Sequence, residues 1–559
     1  MSDETAKGRD LSRRAALWLL AALLLAGAGL RFWRIGSKEL WLDECISALA
    51  AQGSPAQTVA NVAEHDAHPP LYYLLLNLTT RLTGRHAAGL RALSALAGVA
   101  VIALAYAIGA ELFTRRAGLL AAAGLAASSF QLYFAQEARL HALATLLVLA
   151  ATWVFIRILR DRAGGRKQAA RMAAYGLLAL AALYTYYYAV FALAAHALGF
   201  AVLWLCGRTQ KRNWILTPDR ARAVWPMLLT ALAAAGTLFA LGWGDVAVDR
   251  LRGASDVPSA AFGARIVLDA LRQFLTGPVV DRLALAPSIS AIDDLLLLLL
   301  VLPAAGIALA ARRRPGAAVL LGACVAVPFT CVALLPARPH IFEAKHLVFV
   351  APFLFLMAVA PDDGRRARGG VAAAAAVLIL IAVNTWANAV YVRAAYHKEP
   401  WRAVAAQIRA GMQPGDVVVV TPPYLEHPLR RHCRVERVIA APLQGVFEIK
   451  VFAARHRGGI WLVQGSSNVA HPNHAVWLSL TKWEGPSREV PGLDQVSLGI
   501  WRDRPDQVIG EGSVGAVMAS WPSKGKVKSL FFGPLFEGFS TFRTAVAVRR
   551  FARARAASP

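Results

Sequence analysis

Long apolar segments separated by short clusters of arginine and lysine are the feature that most constrains this chain. A helix needs about 20 apolar residues to cross the hydrocarbon core of a bilayer, and such segments recur between residues 15 and 391. Hydrophobic residues make up 57% of the 559 residues, which is too apolar for an ordinary soluble protein. The pattern predicts an α-helical polytopic membrane protein.

The positions of the basic clusters predict how the chain is oriented. Loops rich in arginine and lysine stay on the cytoplasmic side, so the chain should cross the membrane an even number of times between successive clusters. The clusters are GRDLSRR at 8–14, TRR at 114–116, RDRAGGRKQAAR at 160–171, GRTQKRNWILTPDRAR at 207–222, RRR at 312–314 and GRRARG at 364–369. Because the net charge of +26 is distributed over such loops, binding to nucleic acid is not expected.

The segment between residues 33 and 114 contains two apolar stretches, PPLYYLLLNL and LRALSALAGVAVIALAYAIGAEL. If both crossed the membrane, the TRR cluster would lie outside. The first is short and begins with two prolines, so we predict that it lies on the outer membrane surface as a helix. About eleven spans then result, near residues 15–32, 90–112, 117–134, 140–158, 172–187, 189–206, 224–243, 292–311, 316–335, 347–360 and 371–391.

The first apolar stretch has an alternative interpretation. It could be a signal peptide that is cleaved at the small-residue sequence AGA. Arg31, Trp33 and Arg34 at its end are, however, typical of an interfacial anchor. The favoured prediction is therefore a first span that remains in the chain.

The chain is predicted to divide into a membrane core, residues 1–391, and a carboxy-terminal domain outside the cytoplasm, residues 392–559. The second part opens with the helix-like sequence WRAVAAQIRAGM and the turn QPGD. The sequences VVVVTPPY, GGIWLVQG and VSLGIW are typical of strands. We therefore predict an extracytoplasmic α/β domain.

Polar residues gather at the outer ends of the predicted spans. A transporter would place charges at mid-membrane, whereas His196 is the one ionisable residue predicted well inside a span and is expected to be packed and neutral. The outer residues are Asp43, Glu44, Glu64, His65, Asp66 and His68 in the loop 33–89, Glu137 and Arg139 in FAQEARLHAL, and Arg91 and Lys345 at span ends. This distribution predicts a site on the outer side.

Each of these groups also has a structural interpretation. Asp43 could be the N-cap of a helix over ECISALAA, and Glu44 could favour the dipole of that helix. Glu137 and Arg139 could form an interfacial ion pair. The sequence HPPLYY could be a proline helix start followed by interfacial aromatic residues. It is the convergence of all of them on one side that favours a functional site.

Five motifs together resemble a known family. The sequences LWLDE, HDAHPPLYYLLL, LRALSAL, LFTRRAGLLAA and LYFAQEARLHALATLL occur in the order and spacing of the polytopic glycosyltransferases of family 39. That family includes protein O-mannosyltransferases and the aminoarabinose transferase of lipid A. The resemblance covers residues 15–205 by motif and the rest by architecture. It implies the GT-C fold, with a helical membrane core, amphipathic helices in the first outer loop and a cavity facing outward.

The resemblance also implies a reaction, the transfer of a sugar from a polyprenyl phosphate to an acceptor hydroxyl with inversion. A phosphate leaving group needs cations rather than an acid, and Arg139, Lys345 and Arg91 are the candidates. The acceptor hydroxyl needs a general base, and Asp43 matches the first-loop aspartate of the family. The other two carboxylates of the predicted catalytic set, Glu44 and Glu137, would position the acceptor or a metal.

Two features depart from the family. Lys345 and His346 stand where members often carry Arg-Tyr, and a lysine keeps a phosphate partner but loses bidentate geometry. The sequence YTYYYAVF stands where members often have a histidine among aromatic residues, which leaves the identity of the donor sugar open.

The predicted acceptor or loop-one site consists of His65, Asp66, His68 and Tyr72. No cofactor is required by the chemistry, although the two histidines and Asp66 could bind a divalent metal at a spacing that matches no standard site.

The expected partners are a polyprenyl-phosphate-linked sugar donor, an envelope acceptor (lipid, polysaccharide or protein) and membrane lipid, without nucleic acid. The expected location is a bacterial-type inner membrane, with the active site on its extracytoplasmic side. A non-catalytic carrier of lipid-linked sugars and an oligosaccharide ligase or polymerase are the alternatives.

Overall fold

The computed structural model divides the chain into two compact units. The first contains residues 1–37 and 50–396, and the second contains residues 38–49 and 397–537, with the remaining carboxy-terminal residues divided between them. The structure describes residues 11–66, 68–160, 165–209, 236–237, 264–278, 296–334, 343–362, 364, 367–392, 401–421, 425–433, 438–440, 460–465, 487–489, 496–501 and 548–551.

The described part of the chain is mostly helical up to residue 411. The α-helices are α1 (Arg13–Phe32), α2 (Leu42–Ala50), α3 (Pro55–His65), α4 (Leu71–Thr83), α5 (Ala87–Leu112), α6 (Arg115–Ala127), α7 (Ser129–Ala135), α8 (His141–Arg160), α9 (Arg166–Leu183), α10 (Ala189–Thr209), α11 (Ala264–Thr276), α12 (Val301–Arg313), α13 (Pro315–Leu334), α14 (Ala351–Ala358), α15 (Ala367–Val392), α16 (Trp401–Gly411) and α17 (Glu426–His432). Two 3-10 segments, Leu298–Leu300 and Ala344–Val350, precede α12 and α14.

Six helices among the described residues are long and apolar enough to cross a membrane. They are Arg13–Phe32, Ala87–Leu112, His141–Arg160, Ala189–Cys206, Pro315–Leu334 and Arg368–Ala389. These six correspond to the predicted spans near 15–32, 90–112, 140–158, 189–206, 316–335 and 371–391. The prediction of a polytopic helical membrane protein is therefore confirmed.

The span predicted near residues 117–134 corresponds to a broken pair of helices, because the chain bends there by 60° between α6 and α7. Side chains from other helices satisfy the backbone groups that the break exposes. Asn388 Nδ2 donates to the Ala127 carbonyl at 2.6 Å, and Asn384 Oδ1 accepts from the Ser129 N–H at 2.7 Å. Non-helical backbone is tolerated at membrane depth only where the protein supplies such partners. The bent pair, if counted as one span, gives seven.

Four further predicted spans are not among the spans found in the described residues. The span near 172–187 corresponds to α9, which contains 18 residues and is less apolar. The span near 292–311 corresponds in part to α12, with 13 residues, and the span near 347–360 to the short apolar helix Ala344–Ala358. The span near 224–243 lies almost entirely outside the described residues.

Helices α5 and α6 form a tight hairpin at the TRR cluster, residues 114–116. Thr114 caps α6, because its side chain accepts from the Ala117 N–H at 3.0 Å. Gly109 and Gly118 let the two backbones approach, and a Cβ on Gly109 would lie 2.8 Å from the Gly118 Cα. Small residues at such contacts are typical of packed membrane helices.

The second unit contains a six-stranded sheet. Its strands are β1 (Val417–Thr421), β2 (Val438–Ala440), β3 (Ile460–Gly465), β4 (Ser487–Glu489), β5 (Val496–Trp501) and β6 (Val548–Phe551), in the order β2-β1-β3-β5-β6-β4. Strand β1 pairs in parallel with β2 and β3, and β5 is antiparallel to β3. The three sequences predicted as strands are β1, β3 and β5. Trp401 of α16 and Trp461 of β3 are buried in its core.

Candidate functional site

A buried cluster around Asp66 forms the centre of the candidate site in the first unit. Asp66 Oδ2 accepts from Arg139 Nη1 at 2.8 Å and from the Tyr73 hydroxyl at 2.6 Å. Asp66 Oδ1 lies 2.6 Å from His68 Nδ1 and accepts from the His68 backbone N–H at 3.2 Å. Both carboxylate oxygens are thus engaged by groups from three segments of the chain.

These partners determine the ionisation of Asp66. Burial alone would raise its pKa, but the charges of Arg139 and His68 and the hydrogen bonds from His68 and Tyr73 hold the pKa well below its ordinary value. Burial, together with the neighbouring Asp66 charge, raises the pKa of Tyr73, which stays a hydroxyl donor. Asp66 is therefore a fixed carboxylate that orients Arg139, and a poor general base.

The prolines after His68 bring distant segments to this cluster. Pro69 and Pro70 end the turn after α3, and α4 then begins at Leu71, whose N–H donates to the Tyr184 carbonyl at 3.0 Å. This bond brings the turn between α9 and α10 beside the loop-one residues.

Tyr72, predicted to belong to the acceptor site, contacts a residue that supports the backbone of Arg139. Its hydroxyl is fully buried and lies 3.3 Å from Ser94 Oγ, which donates to the Arg139 carbonyl at 3.0 Å. Tyr72 thus supports the backbone of Arg139.

A row of aromatic rings extends the cluster. Tyr186 lies with its ring centroid 5.6 Å from that of His68 and 5.7 Å from that of His141. Tyr188 lies 5.3 Å from Tyr186 and stacks on His346 at 5.1 Å, with an interplanar angle of 6°. Ring contacts therefore link the 3-10 segment Ala344–Val350, which contains His346, to His68 of loop one.

Lys345 lies in the same 3-10 segment, next to His346. Its Nζ is 3.0 Å from Glu343 Oε2, and the pair is partly exposed. Lys345 is therefore one member of an ion pair. Its positive charge and that of Arg139 both act on His141.

Reciprocal side-chain caps fix the loop that carries Arg139. Arg31 of α1 is fully buried and donates through its Nη atoms to the carbonyls of Leu125 and Ala126, at the end of α6. Gln136 Nε2, after α7, donates in return to the carbonyls of Leu30, Arg31 and Trp33 at the end of α1. The prediction that Arg31 is an interfacial anchor is wrong, because its guanidinium is buried and donates to backbone carbonyls at the end of α6.

Asp43 and Glu44 lie in α2, which belongs to the second unit except for its last residue. Asp43 is not the N-cap of this helix, because α2 begins at Leu42. Glu44 is fully buried, and its Oε2 accepts from the Trp41 N–H at 3.4 Å, the hydrogen bond of a helix-start cap. In the structure, Glu44 is therefore a capping residue and Asp43 is an acidic residue in the first turn of α2.

The remaining predicted residues are mostly buried. Arg91 donates to the Ile35 carbonyl at 2.7 Å and so supports the chain after α1. Glu137 is buried, in the turn between Gln136 and Arg139. His65 ends α3, and its side chain lies outside the description. Across the described residues, no group of three His, Cys, Asp or Glu could hold a metal ion.

Sequence reasoning missed three residues of this region. Tyr73 comes one residue after Tyr72, and His141 comes two residues after Arg139, so both lie inside the motifs that predicted the site. Both were missed because their neighbours are mostly apolar. Tyr186 lies in the aromatic cluster YTYYYAVF, which indicated a departure from the family without indicating which ring would face the site.

Comparisons with known proteins support the resemblance. Residues 67–241 match the family model described as dolichyl-phosphate-mannose-protein mannosyltransferase. These residues include His68, Tyr73, Arg139, His141 and Tyr186. The chain resembles this family, as the motifs predicted. Among curated proteins, none matches the chain.

The fold is similar to that of ArnT from Cupriavidus metallidurans. The apo structure of that protein has 14% identity and a TM-score of 0.52, over 84% of this chain and 95% of ArnT. Its structure with undecaprenyl phosphate has 15% identity, the same TM-score of 0.52 and the same coverage, 84% and 95%. An oligosaccharyltransferase from Archaeoglobus fulgidus has 15% identity and a lower TM-score of 0.48, over 85% of this chain and 72% of its own. The similarity to ArnT shows a shared, GT-C-like fold.

Proposed function

We propose that this chain is a membrane glycosyltransferase that moves a sugar from a polyprenyl-phosphate donor to a hydroxyl of an envelope acceptor, with inversion. The observation that carries the proposal is the buried, oriented Arg139, which lies within the segment that matches the mannosyltransferase family and is held at 2.8 Å by Asp66, one residue before that segment. The fold shared with ArnT, one structure of which holds undecaprenyl phosphate, supports the same class of donor.

The chemistry follows from the leaving group. When the bond between the sugar and the phosphate breaks, negative charge remains on a phosphate that needs no proton. A guanidinium carries five N–H donors in a planar fork, so an Arg139 oriented by Asp66 through Nη1 can also donate to phosphate oxygens. Lys345, in the 3-10 segment before α14, would supply a second positive charge. Such preorganised cations stabilise developing charge without reorganising.

The acceptor hydroxyl needs a base, and we propose Asp43 for that role on the family motif LWLDE. Asp66 does not suit it, because both of its oxygens are engaged and its pKa is lowered. Glu44 would hold the start of α2 in place, and Glu137 would help to position the loop of Arg139. Arg91 would contribute indirectly, by holding the backbone carbonyl of Ile35 in place.

The cellular setting is part of the same proposal. It comprises about eleven spans, an α/β domain outside the cytoplasm over residues 392–559, and a site on the outer face of a bacterial-type inner membrane. The acceptor is a lipid, a polysaccharide or a protein of the envelope.

The test is mass spectrometry of envelope glycolipids and glycoproteins from cells with and without this protein. One class of glycan should lose a single sugar residue in the absence of the protein, and restoring the wild type should restore it. Restoration with an Arg139→Gln variant that reaches the membrane in equal amount should fail. An unchanged glycan profile, or full restoration by the variant, would contradict the proposal.

A further inference from the structure

We infer that His141 and Tyr186 form a subsite for the hydroxyl groups of the donor sugar, a neutral hexose or pentose. This inference rests on the proposed function and deepens it by assigning residues to the sugar rather than to the phosphate.

The first observation is an unpaired polar atom on each of two buried side chains. Tyr186 is 0% exposed and His141 is 4% exposed. Among the residues that the structure describes, neither the Tyr186 hydroxyl nor His141 Nδ1 has a hydrogen-bond partner. Buried polar atoms in native proteins are nearly always paired. Two orphan groups on adjacent rings, 5.7 Å apart by their centroids, therefore point to a polar ligand.

The second observation is the position of these groups beside the proposed phosphate site. His141 begins α8, two residues after Arg139, and Tyr186 lies 5.6 Å from His68 by ring centroids. His68 in turn contacts Asp66, the residue that orients Arg139. A sugar attached to a phosphate at Arg139 would lie within reach of both groups.

The chemistry of the two groups selects hydroxyls over charged groups. A tyrosine hydroxyl can donate and accept, and a neutral imidazole has one donor and one acceptor nitrogen. The neighbouring charges are arranged in pairs, Asp66 with Arg139 and Glu343 with Lys345. A polyhydroxylated neutral sugar matches this set of groups.

Aromatic rings around the pair offer surfaces for the apolar face of a sugar. Phe134 meets His141 edge-on at 5.0 Å, and Tyr188 lies 5.3 Å from Tyr186. Because Tyr188 also stacks on His346, the rings are held in place by neighbours from another segment. The orphan polar atoms would therefore be presented by a rigid surface, which lowers the entropic cost of binding.

The experiment compares bare and glycosylated lipid. Detergent-purified full-length protein is titrated with undecaprenyl phosphate and with undecaprenyl phosphate bearing mannose, glucose or arabinose. At least one of the three glycosylated lipids should bind the wild type more tightly than the bare lipid. Tyr186→Phe removes only the hydroxyl oxygen, and it should reduce this preference by roughly three- to tenfold, the effect of losing one or two neutral hydrogen bonds.

The matched control is Tyr175→Phe. It makes the same change at a buried tyrosine whose hydroxyl already has a protein partner, His196 Nδ1 at 3.1 Å. Its preference for the glycosylated lipid should equal that of the wild type. A merely structural effect of removing a tyrosine hydroxyl would appear in both variants, or would weaken the bare lipid as well.

The outcomes separate the subsite from the proposed function. If Tyr186→Phe keeps the full preference, or if the wild type binds all four lipids equally, the subsite is refuted while the proposed donor class stands. If the wild type does not bind even undecaprenyl phosphate, the proposed function itself fails. Lys345→Met serves as the reference for the phosphate, since it should weaken bare and glycosylated lipids by the same factor.

Discussion

At the scale of single residues, Asp66 is ionised by groups both near and distant in sequence. Arg139 is 73 positions away and Tyr73 is 7 positions away, yet both meet one carboxylate oxygen. The motifs predicted that Asp66 and Arg139 lie on the same side of the membrane. The ion pair itself could not be predicted, because it depends on how α3, α4 and the turn before α8 pack.

Replacing Asp66 by asparagine should remove the carboxylate that pairs with the buried Arg139 guanidinium. Breaking a buried pair in this way costs about 3–5 kcal/mol of unfolding free energy. Because the pKa of Asp66 is lower in the folded protein, its contribution is fully present above the ordinary value near 4 and is lost as the pH falls through the folded pKa.

Thermal unfolding of detergent-purified protein should therefore show a lower Tm for Asp66→Asn at pH 7, and a difference from the wild type that shrinks below about pH 4. The control is Glu64→Gln, which neutralises an exposed carboxylate two positions earlier. A difference that is independent of pH would contradict the ionised pair.

Asp43 allows a second test at this scale. Asp43→Asn keeps the shape of the side chain and removes only the proton acceptor, and the helix start remains capped by Glu44. If Asp43 is the general base, transfer should fall by at least about 100-fold without loss of folding. The measurement is sugar transfer in membranes, with Tm as the folding control. Near-normal turnover would refute the catalytic role, and an equal loss of Tm in Asp43→Asn and Asp43→Ala would indicate a structural one.

At the scale of elements, apolar composition predicted the long helices but not the break between α6 and α7. A bend of 60° requires partners for the freed backbone groups, and these come from Arg31, Asn384 and Asn388. None of the three side chains is near the break in sequence. A run of hydrophobic residues shows that a segment is apolar, whereas its straightness depends on such distant contacts.

The reciprocal caps of Arg31 and Gln136 should act as one unit that positions Arg139. Gln136→Leu would leave three helix-end carbonyls without their side-chain donor, and Arg31→Met would do the same for two carbonyls of α6 and Gly27. Each change should lower the Tm and reduce kcat for transfer by roughly tenfold or more, because the turn carrying Arg139 loosens.

A double-mutant cycle checks this coupling. If the two caps support one loop, the combined variant should lose clearly less stability than the sum of the single variants, with an interaction energy of about 0.5–3 kcal/mol. The matched control pairs Gln136→Leu with Thr330→Val, which removes an exposed hydroxyl on α13. Additive losses in the Arg31–Gln136 pair would show that the caps act separately.

At the scale of the whole molecule, positive loops and apolar length predicted six of the spans well. Which side of the membrane each loop faces stays a prediction, and contacts between loops allow it to be tested. Helix α9 was predicted to cross the membrane, yet it is too polar to be among the spans found in the described residues. Its first turns contain Arg166, Lys167 and Arg171, which lower its mean hydropathy. Long basic side chains near a helix end can extend to the membrane surface and do not prevent crossing.

We expect α9 to cross the membrane, because the segments on its two sides are predicted to lie on opposite faces. The basic loop before it is expected to be cytoplasmic, whereas the turn after it contains Tyr186, whose ring lies 5.6 Å from that of loop-one His68. We therefore expect reporter fusions to show an external alkaline phosphatase after Gly53, Tyr187 and Lys450, and an internal fluorescent protein after Lys167. Fusions after Leu112 and Arg314, next to basic clusters, are the internal controls. Cytoplasmic placement of Tyr187 would contradict the position of the site, and cytoplasmic placement of Lys450 would contradict the eleven-span topology, because each requires an even number of crossings between the preceding basic loop and the fused residue, where one crossing is expected.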